Sequence, residues 1–220
     1  MKKTILTAVI IGAISMSACS NNGNKTEAKE AKEVAVSNSE SKTIFNKLNQ
    51  KSQLDWRGSH LGGSQPRFGE INLKDAEFSV ENNRLVNALV VVDMNSLTVE
   101  NYTEGDEQIA ILEGHLKGDD FFDVTQYPTA KFELTNVESA TGDFSSLVTG
   151  NLTILEVTKS IAFKANVSIS ESSVSFKSED FTVNRADWNL TYNSEGTAGV
   201  PVDYLISNDI GFTIDITLDK

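Results

Sequence analysis

The chain has 220 residues but only one cysteine, two histidines and three prolines. A single cysteine excludes an intramolecular disulfide and any thiolate-based metal cage. His60 and His115 leave little for histidine-based metal sites or triads. Positive charge is scarce as well: 19 Lys and Arg stand against 31 Asp and Glu, a formal charge of −12. Such a surface disfavours nucleic acid or an anionic bilayer as an electrostatic partner. No Gly-x-Ser-x-Gly, Cys-x-x-Cys or P-loop pattern occurs. The composition points away from catalysis through His or Cys, and no catalytic or metal-ligating set is assigned.

What is present begins with an export signal. Met1-Lys2-Lys3 is a basic start, and Thr4 to Ser15 is mostly apolar. That run falls short of the ~20 apolar residues of a spanning helix and suits a signal peptide over residues 1–18. Met16-Ser17-Ala18-Cys19 resembles a bacterial lipobox, with Met16 where Leu is usual. Small residues precede the cysteine because the peptidase cleft admits little bulk, and the sulfur takes the diacylglyceryl group. Cys19 is therefore the expected lipidation site and membrane anchor. Removing residues 1–18, with Lys2 and Lys3 and no acid, takes the charge to −14. Ser20 is not the Asp that retains some lipoproteins in the inner membrane, which favours an outer-membrane protein facing the periplasm.

Residues 19–50 then read as the acylated cysteine and a flexible tether. Ser20 to Lys42 has no aromatic residue and few large apolar ones. It cannot bury enough surface to offset its ordering entropy, so disorder is expected. At ~5–6 Å times the square root of its length, it would hold the domain a few nanometres off the bilayer.

Over residues 51–220 the dominant hydrophobic period is two. Ile161, Phe163, Ala165, Val167 and Ile169 alternate with polar or small residues, and Ile210, Phe212, Ile214, Ile216 and Leu218 do the same. Shorter runs center on Leu54–Trp56, Ile71–Leu73, Phe78–Val80, Ala130–Leu134 and Val148–Ile154. The parity changes between Phe176 and Phe181, which predicts a bulge near Ser178 to Asp180. Leu85 to Met94 is apolar on both parities, so both faces should be covered. The expected cover is the one helix, Asp106 to Lys117, with Ile109, Leu112 and Leu116 on one face. About eight antiparallel strands and one short helix predict an all-β closed barrel; a two-sheet sandwich is the alternative.

Within this domain several segments carry a resemblance. Val92 to Leu97 (VDMNSL), Leu116 to Val124 (LKGDDFFDV) with Tyr127 to Phe132 (YPTAKF), Val148 to Ile154 (VTGNLTI) with Val157-Thr158-Lys159, and Phe181 to Trp188 (FTVNRADW) resemble, in this chain order, the motifs of the YceI-like family. The resemblance covers roughly Gln53 to Asp219. It implies a lipocalin-like, eight-stranded antiparallel barrel in the bacterial cell envelope, binding a long isoprenoid chain or similar lipid in an apolar channel. It implies no cofactor and no established catalytic activity. The segment His60 to Gly69 departs from the Gly-x-His-x-Gly-like pattern that many members carry after the first strand.

The inward parity nominates Trp56, Val90, Val92, Met94, Phe132, Leu134, Leu152, Ile154, Phe163 and Ile214 as the channel lining; core packing explains each equally well. Phe121 and Phe122 could plug one barrel end. Gly150 leaves room for bulk opposite, an aromatic neighbour or a ligand. Arg185 and Asp187, two apart on an extended chain, would share a face beside Trp188, either as a structural ion pair or around a polar or phosphorylated head group. Asp119, Asp120 and Asp123 read as a solvated turn, lacking the ligand pattern of an EF-hand. Three functions follow. One is a lipid-anchored binder of an isoprenoid or similar long-chain lipid. Another is a tethered envelope interaction module with a filled barrel, a homodimer being compatible with either. The last is an enzyme resting on carboxylates such as Asp93, Asp123 or Asp187.

Overall fold

The structure is a computed structural model that describes residues 23–34 and 41–220. The signal-peptide and lipidation expectations, including Cys19, lie outside the described residues. Fourteen strands and one helix follow in order: β1 (Asn24–Lys25), β2 (Lys29–Glu30), β3 (Thr43–Phe45), β4 (Lys47–Leu48), β5 (Gln53–Gly58), β6 (Arg67–Glu70), β7 (Leu73–Glu81), β8 (Arg84–Asp93), α1 (Glu107–Lys117), β9 (Thr129–Ser139), β10 (Ser146–Ile154), β11 (Val157–Ile169), β12 (Ser173–Ser178), β13 (Phe181–Asn184) and β14 (Asp209–Asp219). The long strands pair antiparallel in the order β14-β12-β11-β10-β9-β8-β7 and curl around one apolar core. The fold is the expected all-β, barrel-like architecture.

Alternation explains the curl. Ala88, Val90, Val92 and Met94 of β8 and its following turn are buried, as are Val148, Ile161, Phe163, Ala165 and Ile216 on other strands. Each contributes one face to the interior. Two asparagines with left-handed backbone, Asn82 and Asn83, make the β7–β8 hairpin tight. The other turns at that end, Ala140 to Ser145 and Ser170 to Ser172, are also short. The opposite end carries the long connections: α1, the stretch from Leu97 to Pro128, and the loops between β13 and β14. The barrel thus has a closed end and a mouth.

The predicted bulge is present. β12 ends at Ser178 and β13 begins at Phe181, and both pair with β14. The Ser178 hydroxyl accepts from the Ile214 amide at 2.9 Å, filling the gap in the ladder. The helix also forms where expected, with the Asp106 carboxylate accepting from the Gln108 amide at 2.9 Å. Its position differs. It lies across the mouth, and the outward Leu89 and Val91 of β8 are half-buried without it. Covering both faces of β8 was not needed, because an antiparallel wall can leave one face to solvent.

The wall has two seams, and short N-terminal segments bridge both. Between β7 and β14, β3 pairs with β7 while β4 pairs with β14. Between β11 and β13 the strands diverge past the bulge, and residues 23–32 lie in the split. There β1 runs parallel to β13 and β2 antiparallel to β11. The disorder expected for Ser20 to Lys42 is therefore not what residues 23–34 show. Polar side chains hold this strap. The Thr26 hydroxyl donates to the Ala162 carbonyl and accepts from the Ala162 amide. The buried Glu179 carboxylate accepts from the Lys164 amide at 2.7 Å and from Asn24 Nδ2. Lys25 pairs with Asp209 at 2.7 Å. A Cβ at residue 23 would overlap Asp180, so the strap enters through a glycine. β14 meets four neighbours, β4, β5, β12 and β13.

Candidate functional site: a two-chambered interior

The interior divides into an inner channel and an outer chamber at the mouth. The inner channel has a volume of about 90 Å³. Nine of the ten residues nominated from parity line it: Val90, Val92, Met94, Phe132, Leu134, Leu152, Ile154, Phe163 and Ile214. Trp56 does not. It lines the outer chamber, with its indole Nε1 donating to the Thr98 carbonyl at 2.9 Å. Leu54, its i−2 neighbour, takes the channel position.

Phenylalanines from five strands form a belt around the channel. Phe163 and Phe181 stack at 4.3 Å between centroids, with Phe132, Phe176 and Phe212 at 5.7–6.1 Å from one or the other. Such contacts add ~0.5–1.5 kcal/mol each beyond burial. Gly150 serves this belt: a Cβ there would fall on the Phe132 ring. Of the two readings of Gly150, the aromatic neighbour is the one seen. The one charged lining residue is Lys131, whose ammonium pairs with Glu133 at 2.9 Å.

The outer chamber is larger, about 320 Å³, and mixed in character. His115 of α1 stands edge-on between Phe121 at 5.1 Å and Tyr192 at 4.9 Å. Its Nε2 lies 3.3 Å from Asp120, not beside Asp119. His60 Nδ1 meets the Asp203 carbonyl oxygen at 2.8 Å, and Arg67 stacks over Tyr102 at 5.3 Å. Phe122 lines both chambers and stands between them. The expectation of an aromatic plug at one barrel end holds for this residue.

The polar set Arg185, Asp187 and Trp188 is arranged differently from the extended pair that sequence suggested. Residues Arg185–Trp188 form a 3-10 turn, capped by the Asn184 side chain. Arg185 is 2% exposed, and its guanidinium donates to the carbonyls of Leu190, Tyr192, Ile206 and Ser207 at 2.6–3.3 Å. Burial lowers its pKa from the ordinary arginine value. Four of its five N–H donors are thus spent on backbone, and it knits the mouth loops together. Trp188 is fully buried, with Nε1 donating to the Leu152 carbonyl at 3.0 Å. No ion pair joins Arg185 to Asp187 among the described residues.

The carboxylates of the enzyme reading serve turns. Asp93 accepts from the Asn95 amide, and Asp123 accepts from Gln126 Nε2 at 2.6 Å. The amides of Gln126 and Tyr127 go to the Asp123 backbone carbonyl rather than to its side chain. Neither Asp93, Asp123 nor Asp187 lines a chamber. Among the described residues no cluster of three or more His, Cys, Asp or Glu could hold a metal, and no helix is long and apolar enough to cross a membrane.

Comparison with known proteins gives a consistent picture. The model of the YceI-like domain matches residues 45–218. A UPF0312 protein of Pseudomonas putida is 37% identical over 122 residues, 55% of this chain and 59% of that protein. A UPF0312 protein of Pseudomonas aeruginosa is 36% identical over 124 residues, 56% of this chain and 60% of that one. The alignment thus spans less than two thirds of these relatives. Two solved structures share the fold at TM-score 0.55 and 16% identity. BcnA of Burkholderia cenocepacia is covered over 96% of its length and 76% of this chain. A polyisoprenoid-binding domain from Saccharophagus degradans is covered over 99%, with 80% of this chain.

Proposed function

This chain belongs to the YceI-like family, and from that premise we propose that it binds an isoprenoid or similar long-chain lipid, with the tail in the inner channel and the polar end in the outer chamber. The observation that carries this reading is the continuous apolar lining of the channel beneath a wetter mouth. Burial at ~25 cal/mol per Å² would hold such a chain without a polar contact. The polyisoprenoid-binding description of the Saccharophagus degradans neighbour supports the ligand class. The chain acts as a carrier or store rather than a catalyst. Its lipobox-like Met16 to Cys19 supports acylation, and with it a place in the cell envelope, at the outer membrane facing the periplasm.

The channel volume of about 90 Å³ sets a condition. Ordinary ligand pockets span ~300–1,000 Å³. A long tail therefore enters only if belt phenylalanines and Phe122 swing aside. The same number favours a second reading, a filled barrel that serves as an interaction module. Organic extraction of the purified full chain, followed by mass spectrometry, separates the two. A co-purified apolar chain, or uptake of added polyprenyl lipid, supports the first. An empty barrel that takes up neither supports the second.

A further inference from the structure

One part of the channel wall is not closed by strand pairing. Past the bulge, β11 and β13 part, and among the described residues no register joins them. The strap spans this gap. On the β11 side, the Ala162 amide donates to the Thr26 hydroxyl at 3.3 Å. On the β13 side, the Asn24 and Thr26 amides donate to the carbonyls of Asp180 and Thr182, each at 2.9 Å. Phe163 lies between Ala162 and Lys164, and Phe181 between Asp180 and Thr182, so alternation turns both rings inward, away from the strap. There they stack at 4.3 Å with planes 4° apart. Both line the inner channel. The strap outside and this stack inside close the same gap.

The strap is lightly held. Over residues 23–32 Thr26 is its only buried residue, and Ala28 its only apolar side chain packed on the core. Its remaining ties are polar and reach the surface. Beneath it, Thr182 Oγ1 is buried with no hydrogen-bond partner among the described residues. Release of the strap gives that hydroxyl to water and so recovers part of the cost. A segment with few buried apolar contacts and exposed backbone bonds opens locally, well below global unfolding. The rest of the belt has no such freedom. Phe132, Phe176 and Phe212 stand on strands that are paired on both sides at those residues.

We propose that the strap is a latch on the channel: docked, it holds β11 to β13 and keeps the channel narrow, and released, it lets the Phe163–Phe181 stack part so that the channel widens around an apolar chain. The proposal rests on the lipid-binding reading for what fills the channel, not for the opening itself. It meets the condition set by a channel of about 90 Å³. Two of the belt rings that must move face each other across the one seam that can yield. Strap docking and occupancy of the channel then exclude each other, so each weakens the other by the same factor.

The test uses the full chain, with geranylgeraniol and the neutral apolar dye N-phenylnaphthylamine as probes. Hydrogen exchange at the Asn24 and Thr26 amides reads strap opening. Thr26→Val removes the hydroxyl that bridges to Ala162 and leaves the backbone pairing in place. Apparent affinity scales with the fraction of molecules whose strap is open, so opening and affinity for both probes should rise together, each by about fivefold. In the unaltered chain, saturating geranylgeraniol should speed exchange at Asn24 and Thr26 by about tenfold. Adding Gly150→Val, which crowds the channel, should cancel the gain in dye binding among molecules that remain folded. A strap that only stabilises the wall gives faster exchange in Thr26→Val with no gain for either probe, and that result overturns the proposal. Exchange at Asn24 and Thr26 that slows or stays unchanged when geranylgeraniol binds overturns it too, as does a dye gain that survives Gly150→Val. Dye binding that follows strap opening in a chain that takes up no geranylgeraniol would sink the lipid-carrier reading and leave the latch standing.

Discussion

Asn151 and Lys32 exchange two hydrogen bonds across 119 residues of sequence: the Lys32 amide donates to Asn151 Oδ1 at 2.9 Å, and Asn151 Nδ2 donates to the Lys32 carbonyl at 2.6 Å. A side-chain amide here imitates the pairing of a neighbouring strand, at the edge where the strap leaves β11. At ~0.5–1.5 kcal/mol per net bond, Asn151→Ala should weaken strap docking by about 1–3 kcal/mol. Limited proteolysis should then cut within residues 23–34 several-fold faster, with little change in the melting of the rest. Unaltered cleavage would show that the strap is held without this residue.

The Lys25–Asp209 contact makes strap docking sensitive to alkali. The hydrogen bond to Asp209 raises the Lys25 pKa above its ordinary 10.5. A raised lysine pKa stabilises the docked form fully below the unfolded value, and that contribution is lost as pH climbs through the docked value. Strap cleavage should therefore be flat between pH 6 and 9 on this account and rise only above ~10.5. Lys25→Met should abolish the alkaline rise.

Phe122 separates the chambers. Phe122→Ala removes a half-buried ring, at a cost of about 2 kcal/mol, below the ~3–5 of a full core truncation. Uptake of a fluorescent polyprenyl lipid should become faster, because the passage no longer waits on a rotamer change. A variant with unchanged uptake rate would place the barrier elsewhere in the belt.

Gly150 carries the opposite prediction. Gly150→Val displaces the Phe132 ring from its place over the backbone, into the channel, and presses on the Glu133 carbonyl oxygen of the neighbouring strand. The variant should lose about 1–3 kcal/mol of stability, as overpacked cores do. Among molecules that remain folded, lipid uptake should fall. Thermal melting and the same uptake measurement read the two effects separately.

Arg185→Met leaves four backbone carbonyls without their donor. Loss of a buried charged donor of this kind costs about 3–5 kcal/mol. The melting temperature should drop sharply, while lipid affinity per folded molecule stays within a factor of about two. A selective loss of affinity with normal melting would instead make Arg185 a head-group contact.

The strands were legible because one face of each is buried, and burial writes itself into sequence with period two. The bulge near Ser178 showed as a parity change, and nine of ten lining residues followed from the same alternation. Phe212 was legible on the same grounds, since it shares its parity with Ile214. The seams were not. The strap is polar and short of apolar residues, so its composition reads as disorder. Its docking depends on Thr26, Glu179 and Asn151 replacing backbone partners over more than a hundred residues of separation. Arg185 was misplaced for a local reason. An extended chain puts residues two apart on one face, but Asn184 caps a 3-10 turn and rotates Asp187 away.

β14 has a consequence for how this molecule comes into being. It follows every other strand along the chain, yet it borders four of them, from Lys47 at one seam to Phe181 near the other. Until residues 209–219 exist, the earlier hairpins form an open, curled ribbon with two raw edges. Closure is thus a late, long-range event, of the kind that slows folding. β14 behaves as a keystone: the curled wall is locked on both sides only when its last strand arrives.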